Sequence, residues 1–250
     1  MWLVIGFFIL HWFLSLFTQT FFHHRYSSHK QFTMTKFWEK FFYLLSWLFQ
    51  GSSYLSPRAY GIMHRMHHAY ADTDKDPHSP KYDNGPMAMM MRTRIIYKDI
   101  LEDESHIDKR FLDDLTSWRS FDLFASNNLV RLSWVLVYIM IYTAIDPAWY
   151  WYLLIPLHAI MGPMHGVVIN WGAHKFGYTN FKVGDTSKNL FPIDIIMLGE
   201  GLHNNHHKHA MRSNFAWKKW EFDPTYPVIW LLNKLGIIKL KPLVASDIAP

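Results

Sequence analysis

Residues 1–22 form an almost uncharged apolar run, interrupted only by His11, Ser15 and the patch Thr18-Gln19-Thr20. About 20 apolar residues in helical form cover the hydrocarbon thickness of a bilayer, so this run predicts a first membrane span. It lacks the basic leading region and small-residue cleavage site of a signal peptide, and a histidine motif follows at once. Residues 129–145 and 149–170 are two further apolar runs, joined by Asp146-Pro147-Ala148, and predict a helical hairpin that crosses and returns. Residues 37–55 are patterned differently: Phe41, Phe42, Leu44, Leu45, Leu48 and Phe49 are interrupted by Glu39, Lys40, Ser46, Gln50, Ser52 and Ser53. That makes a poor span and a good interfacial helix. Histidine clusters lie on both sides of it, and clusters serving one centre must share a membrane face.

The pattern therefore predicts an all-α integral membrane protein: about three transmembrane helices, an interfacial helix and a cytosolic helical cap. It is expected to form a single domain over residues 1–250. Every Lys and Arg lies in residues 25–131, 175–188 or 208–241. The positive-inside rule makes those segments, and any site they carry, cytoplasmic. The net charge of +5 is small and dispersed, which suits an anionic membrane surface and gives no footprint for nucleic acid. Residues 92–122 alternate basic and acidic groups, read either as a solvated helix face or as a docking surface for a redox partner.

Composition narrows the chemistry. The chain holds 16 histidines and no cysteine, so any metal is held by nitrogen or oxygen. Three clusters stand out: His24-Arg-Tyr-Ser-Ser-His29, His64-Arg-Met-His67-His68 and His203-Asn-Asn-His206-His207. The last two have i, i+3, i+4 spacing, which on an α-helix puts all three imidazoles on one face, close enough to share a metal pair. His24 and His29 are five apart, about 140° on an α-helix. They should serve different metals, or the helix breaks between them. Asn170 and His174, four apart beyond the last apolar run, can point to the same centre. His11, His23, His78, His106, His158, His165 and His209 read as satisfied core or interface side chains. Imidazole suits iron, zinc, copper and nickel alike, so the ligands do not name the metal.

Between about Thr18 and Gly236 the sequence resembles the membrane fatty-acyl desaturases, most nearly the acyl-CoA and acyl-lipid Δ9 class that includes the stearoyl-CoA type. The resemblance rests on Phe-Phe-His-His-Arg-Tyr-Ser-Ser-His at 21–29, His-Arg-Met-His-His-Ala-Tyr-Ala-Asp-Thr-Asp-Lys-Asp-Pro-His at 64–78 and Gly-Glu-Gly-Leu-His-Asn-Asn-His-His at 199–207. It implies two iron ions held by His24, His29, His64, His67, His68, His174, His203, His206 and His207, with Asn170 reaching a metal through water. It also implies O2 as co-substrate and a separate electron donor, cytochrome b5-like or ferredoxin-like. Relatives usually carry a hydrophobic hairpin before the first cluster, whereas one span fits here. Three spans are thus expected, with the amino terminus outside. Residues 50–63 and Lys208-His209-Ala210 differ from the animal acyl-CoA enzymes, so both acyl-CoA and acyl-lipid remain open as substrate.

Removing hydrogen from an unactivated methylene demands a strong oxidant and no side-chain nucleophile, which leaves the protein to hold metals, exclude water and position the chain. Phe8 and Trp12, one turn apart on the first span, are candidates to floor an acyl tunnel, with lipid-facing or core packing as the other reading. Asp72, Asp74, Asp76 and Glu200 flank the clusters, and Asp72, Asp76 and Glu200 are candidates to orient ligand imidazoles. A membrane hydroxylase of alkanes, sterols or carotenoids shares the same clusters. A histidine-rich metal transporter is the competitor from another class, but it would place its ligands within the spans.

Overall fold

A computed structural model describes residues 1–247, and most of them are helical. Helix α1 (Trp2–Thr18) runs without interruption into a π-helix (Gln19–Ser28), so that Trp2–Ser28 is one candidate membrane span. Helix α2 (Lys36–Gln50) starts where Thr35 accepts a hydrogen bond from the Trp38 amide, and it packs beside α1. A 3-10 turn (Gly51–Ser53) leads to α3 (Pro57–Tyr70), which opens with Ser56 as N-cap residue and proline in its first turn. Helices α4 (Pro86–Glu102) and α5 (Arg119–Ser126) precede α6 (Asn128–Ile145), a second candidate span. Asp146 ends α6 in the left-handed conformation, at the turn expected from its sequence.

The expected straight span over 149–170 is bent. Trp149–Ala159 and Met161–Lys175 meet at 66°, as a broken span or a re-entrant pair. Pro163 is the cause: in a continuous helix its ring would clash with the Ala159 carbonyl, and it has no amide to bond there. The freed Ala159 carbonyl accepts from Ser52 Oγ at 3.3 Å, while Gly162 N donates to Ser53 Oγ at 3.2 Å. A side chain at Gly162 would press on Ser53, so the glycine lets the kink seat against the 3-10 turn. Helices α7 (Ile155–Ala159) and α8 (Met161–Gly166) flank the bend. A second π-helix (Val167–Gly172) and α9 (Ala173–Lys175) complete this arm.

The rest of the cap holds α10 (His203–Lys208) and α11 (Thr225–Lys234). It is not wholly α-helical as expected. Strands β1 (Phe32–Met34) and β2 (Ile238–Leu240) pair antiparallel, with Thr33 opposite Lys239. Three-residue strands are too short for an alternating pattern to reveal. One apolar cluster of Phe21, Phe22, Phe42, Tyr43, Ile229 and Ile238 ties the π-helix to α2, α11 and β2. Another, with Ile62, Tyr97 and Ile100, joins α3 to α4. These two cores hold the first two histidine segments side by side.

Candidate metal centre

The three histidine segments and His174 converge into two adjoining groups. His24, His29, His64, His68 and His206 form the first; His67, His174, His203 and His207 form the second. Within each group the ligand-capable nitrogens lie within 4.8 Å of one another. Each H-x-x-H-H motif is split: its outer pair, four apart, enters one group, and its middle histidine crosses to the other. His68 and His207, with ring centroids 4.6 Å apart, mark the seam.

His24 and His29 are in the same group, against the expectation of separate metals or a break. The helix is a π-helix there, with i→i+5 bonding, and His29 N bonds His24 O at 3.2 Å. Residues five apart therefore lie on one face, where an α-helix would splay them.

The outer nitrogens are tied back to acids. His67 Nδ1 lies 2.9 Å from Asp76, His207 Nδ1 2.8 Å from Asp185, and His24 Nδ1 2.5 Å from Glu200. His174 Nδ1 contacts Thr186 Oγ1 at 3.2 Å and Asp72 at 3.7 Å. Burial alone would raise Asp72, Asp76 and Glu200. Hydrogen bonds and the histidine and arginine charges outweigh it, holding all three below the usual carboxylate range, Asp76 at about 2. Asp72, Asp76 and Glu200 thus each lie beside a ring nitrogen of a cluster histidine or His174. Asp74 has no contact with a histidine among the described residues.

With Nδ1–H held by carboxylates, His67 and His207 point their Nε2 lone pairs at each other across 3.2 Å. His24 Nε2 lies 2.9 Å from His206 Nε2, and His29 Nε2 lies 2.8 Å from His64 Nε2. Burial, reinforced by neighbouring positive charge, pushes His29, His64, His68, His203, His206 and His207 well below the usual histidine range, so the imidazoles are neutral. Lone pairs facing each other at the His67–His207 separation repel unless a proton or a metal ion lies between them. The donor set therefore fits a pair of metal ions bound by neutral imidazole.

Other residues are part of the arrangement without having been singled out. Arg25, fully buried, donates from Nη1 to Glu200 at 3.0 Å and from Nη2 to Asp223 at 2.8 Å, and stacks over Phe215. Its place beside His24 was the only signal. Asp185 and Thr186 give none, Asp185 lying 22 residues before His207 and Thr186 12 residues after His174. Gly199 adopts a positive φ where a side chain would press on Asp223, and any side chain at Gly201 would press on Asp194. The Gly-Glu-Gly phrase thus lets Glu200 reach His24.

Among the histidines read as packing, His11 Nδ1 meets His158 Nδ1 at 2.6 Å, and Tyr142 bonds His158 Nε2 at 3.0 Å. His23, His106, His165 and His209 also have partners. His78 does not: it is buried beside His67, and neither ring nitrogen has a partner among the described residues. Phe8 meets the His158 ring edge-on and Trp12 meets His165 likewise. Asn170 lies in the second π-helix, ahead of His174, and no hydrogen bond among the described residues links it to either group.

Candidate spans leading into a buried two-part histidine centre define a helical metalloprotein. A family model for fatty acid desaturases matches residues 1–220. The chain is 30% identical over 227 residues to an sn-1 stearoyl-lipid 9-desaturase of Synechocystis sp., covering 89% of this chain and 67% of that protein. An sn-1 stearoyl-lipid 9-desaturase of Anabaena variabilis is 30% identical over 219 residues, with 86% and 74% covered. An icosanoyl-CoA 5-desaturase of Limnanthes douglasii is 27% identical over 219 residues, with 86% and 58% covered. The chain belongs to the fatty acid desaturase family, as a metal-dependent fatty-acyl desaturase.

Proposed function

We propose that this desaturase uses O2 and two iron ions to insert a cis double bond at the Δ9 position of a long-chain acyl group carried by a lipid or by CoA. One observation carries the reading. His67 and His207 bring their Nε2 atoms to 3.2 Å of each other while Asp76 and Asp185 face their Nδ1 atoms. One iron belongs to His24, His29, His64, His68 and His206, the other to His67, His174, His203 and His207, with Asn170 acting through water. When bound, the pair of irons supplies the oxidising power, drawn from O2 and external electrons, to remove hydrogen from an unactivated methylene. The residues do the rest. Asp72, Asp76, Asp185 and Glu200 fix ring orientation, and burial of the histidines keeps bulk water from the reacting carbons. Phe8 and Trp12 bound the far end of the acyl path.

Three crossings are proposed, by Trp2–Ser28, α6 and the bent arm, with α2 at the interface and the histidine cap on the cytoplasmic face. A separate protein, cytochrome b5-like or ferredoxin-like, delivers electrons. The Δ9 position leans on the names of the Synechocystis and Anabaena relatives, the Limnanthes one being a 5-desaturase. Expression in a host lacking unsaturated fatty acids, followed by mass spectrometry with double-bond mapping, tests the whole reading. The expected product lacks two hydrogens, with the bond at Δ9. A product carrying an added oxygen would make the chain a hydroxylase instead.

A further inference from the structure

The segment ahead of the third histidine cluster is built unlike a water-facing loop. Phe191, Ile193, Ile195 and Ile196 are consecutive or alternate large apolar side chains, each about half exposed. Exposed apolar surface on this scale marks contact with something apolar. Several of the loop's polar groups are bonded within the protein. The Pro192 carbonyl accepts from Phe222 N at 2.8 Å, and proline brings no amide of its own. The carbonyls of Asp194 and Ile195 accept from Gly199 N and Leu198 N at 3.1 and 3.3 Å. Asp194, with no exposed surface, draws in the amides of Met197 and Gly201 at 3.1 and 2.6 Å. Irregular backbone survives in hydrocarbon only where its polar groups are satisfied by protein, and this loop meets that condition at these groups.

Its position supplies the occupant. Trp12 Nε1, on the first span, donates to the Ile196 carbonyl at 3.1 Å. Met197 and Leu198 pack with Leu16 of the same helix. Trp12 lies twelve residues, about three turns, before His24 along the same continuous helix. The loop therefore reaches well below the metal centre, down the flank of an apolar helix whose Ile9 and Leu10 are also exposed.

We propose that residues 191–196 are immersed in the hydrocarbon of the bilayer beside the first span, as a membrane-dipping loop of the cap. The loop runs directly into Glu200 and His203, so lipid contact fixes the third histidine segment relative to the membrane. The proposal rests on Trp2–Ser28 being a span, and the test separates the two.

The chain has no cysteine, so single cysteines label cleanly. Ile195→Cys, Leu10→Cys and Ser105→Cys are each tagged with bimane in the full-length protein in phosphatidylcholine vesicles, with and without lipid brominated on its acyl chains. Bimane at position 195 should be quenched as strongly as at 10, while at 105 it is unaffected. Quenching at 10 without quenching at 195, or 195-to-195 crosslinks between two chains, overturns the loop proposal alone. Absence of quenching at both positions overturns the span itself. Ile193→Cys repeats the measurement if the first variant fails to fold.

Discussion

Asp122 is buried beneath the start of α3, where Tyr54 Oη and Ser56 Oγ each donate to it at 2.8 Å. Burial pushes its carboxyl up to about 6 against those hydrogen bonds. The folded protein thus holds this proton more tightly than the unfolded chain does. The stabilisation is complete below the unfolded pKa near 4 and is lost as pH rises through 6. A shift of about two units corresponds to at most about 3 kcal/mol. Asp122→Asn should remove this dependence, so the stability of the variant relative to the parent should rise between pH 4 and 7 in thermal melts. A constant difference would show that Asp122 titrates normally. At this scale the sequence was informative where chemistry repeats at short spacing, as in the three histidine clusters and their neighbouring Asp76 and Glu200. It was silent where the partner is distant, since nothing local to Asp185 marks it for His207. A lone histidine such as His78 carries no local sign of whether its nitrogens find partners.

Between residue and fold stands the π-helix of Gln19–Ser28, which turns a five-residue spacing into one shared face. Exchanging the two residues by the double substitution Ser28→His with His29→Ser gives a four-residue spacing that suits an α-helix. On this helix it should swing the imidazole away from His64, its partner at 2.8 Å. Iron affinity of the first group should fall by about 10- to 100-fold, the range seen when ligand orientation is disturbed. Titration of the metal-free protein with Fe(II) reads this directly; undiminished affinity would mean that the segment can revert to α-helical geometry. Hydropathy does not distinguish π from α, because both present an apolar run of the same length. Nor did it disclose the 66° bend, although Gly162-Pro163 lay within the run. The elements themselves were legible, as α2 and α6 lie close to the residues expected, because their apolar patterns and capping residues are local.

For the whole molecule, packing relates the ends of the spans. Val4, near the start of α1, lies in one buried cluster with Tyr142 and Ile155, on either side of the Asp146 turn. At the opposite end of α6, Arg131 donates to the carbonyls of Ser52 and Tyr54 at 2.9 and 2.7 Å, beside the start of α3, which carries His64. The amino terminus and the Asp146 turn therefore share one end of the helices, and the histidine segments occupy the other. Helix α6 has 18 residues, about 27 Å at 1.5 Å per residue, close to a hydrocarbon thickness of about 30 Å. If α6 crosses that layer, the bent arm that returns from Asp146 to His174 crosses it too. This predicts that Asp146→Cys reacts with a membrane-impermeant maleimide on intact cells, whereas a cysteine at Lys182 in the cap reacts only after the membrane is opened. Reaction of both positions on intact cells would put the cap outside. Reaction of neither would mean that the end of the helices shared by Val4 and the Asp146 turn does not reach the outer surface, so that Trp2–Ser28 does not cross either.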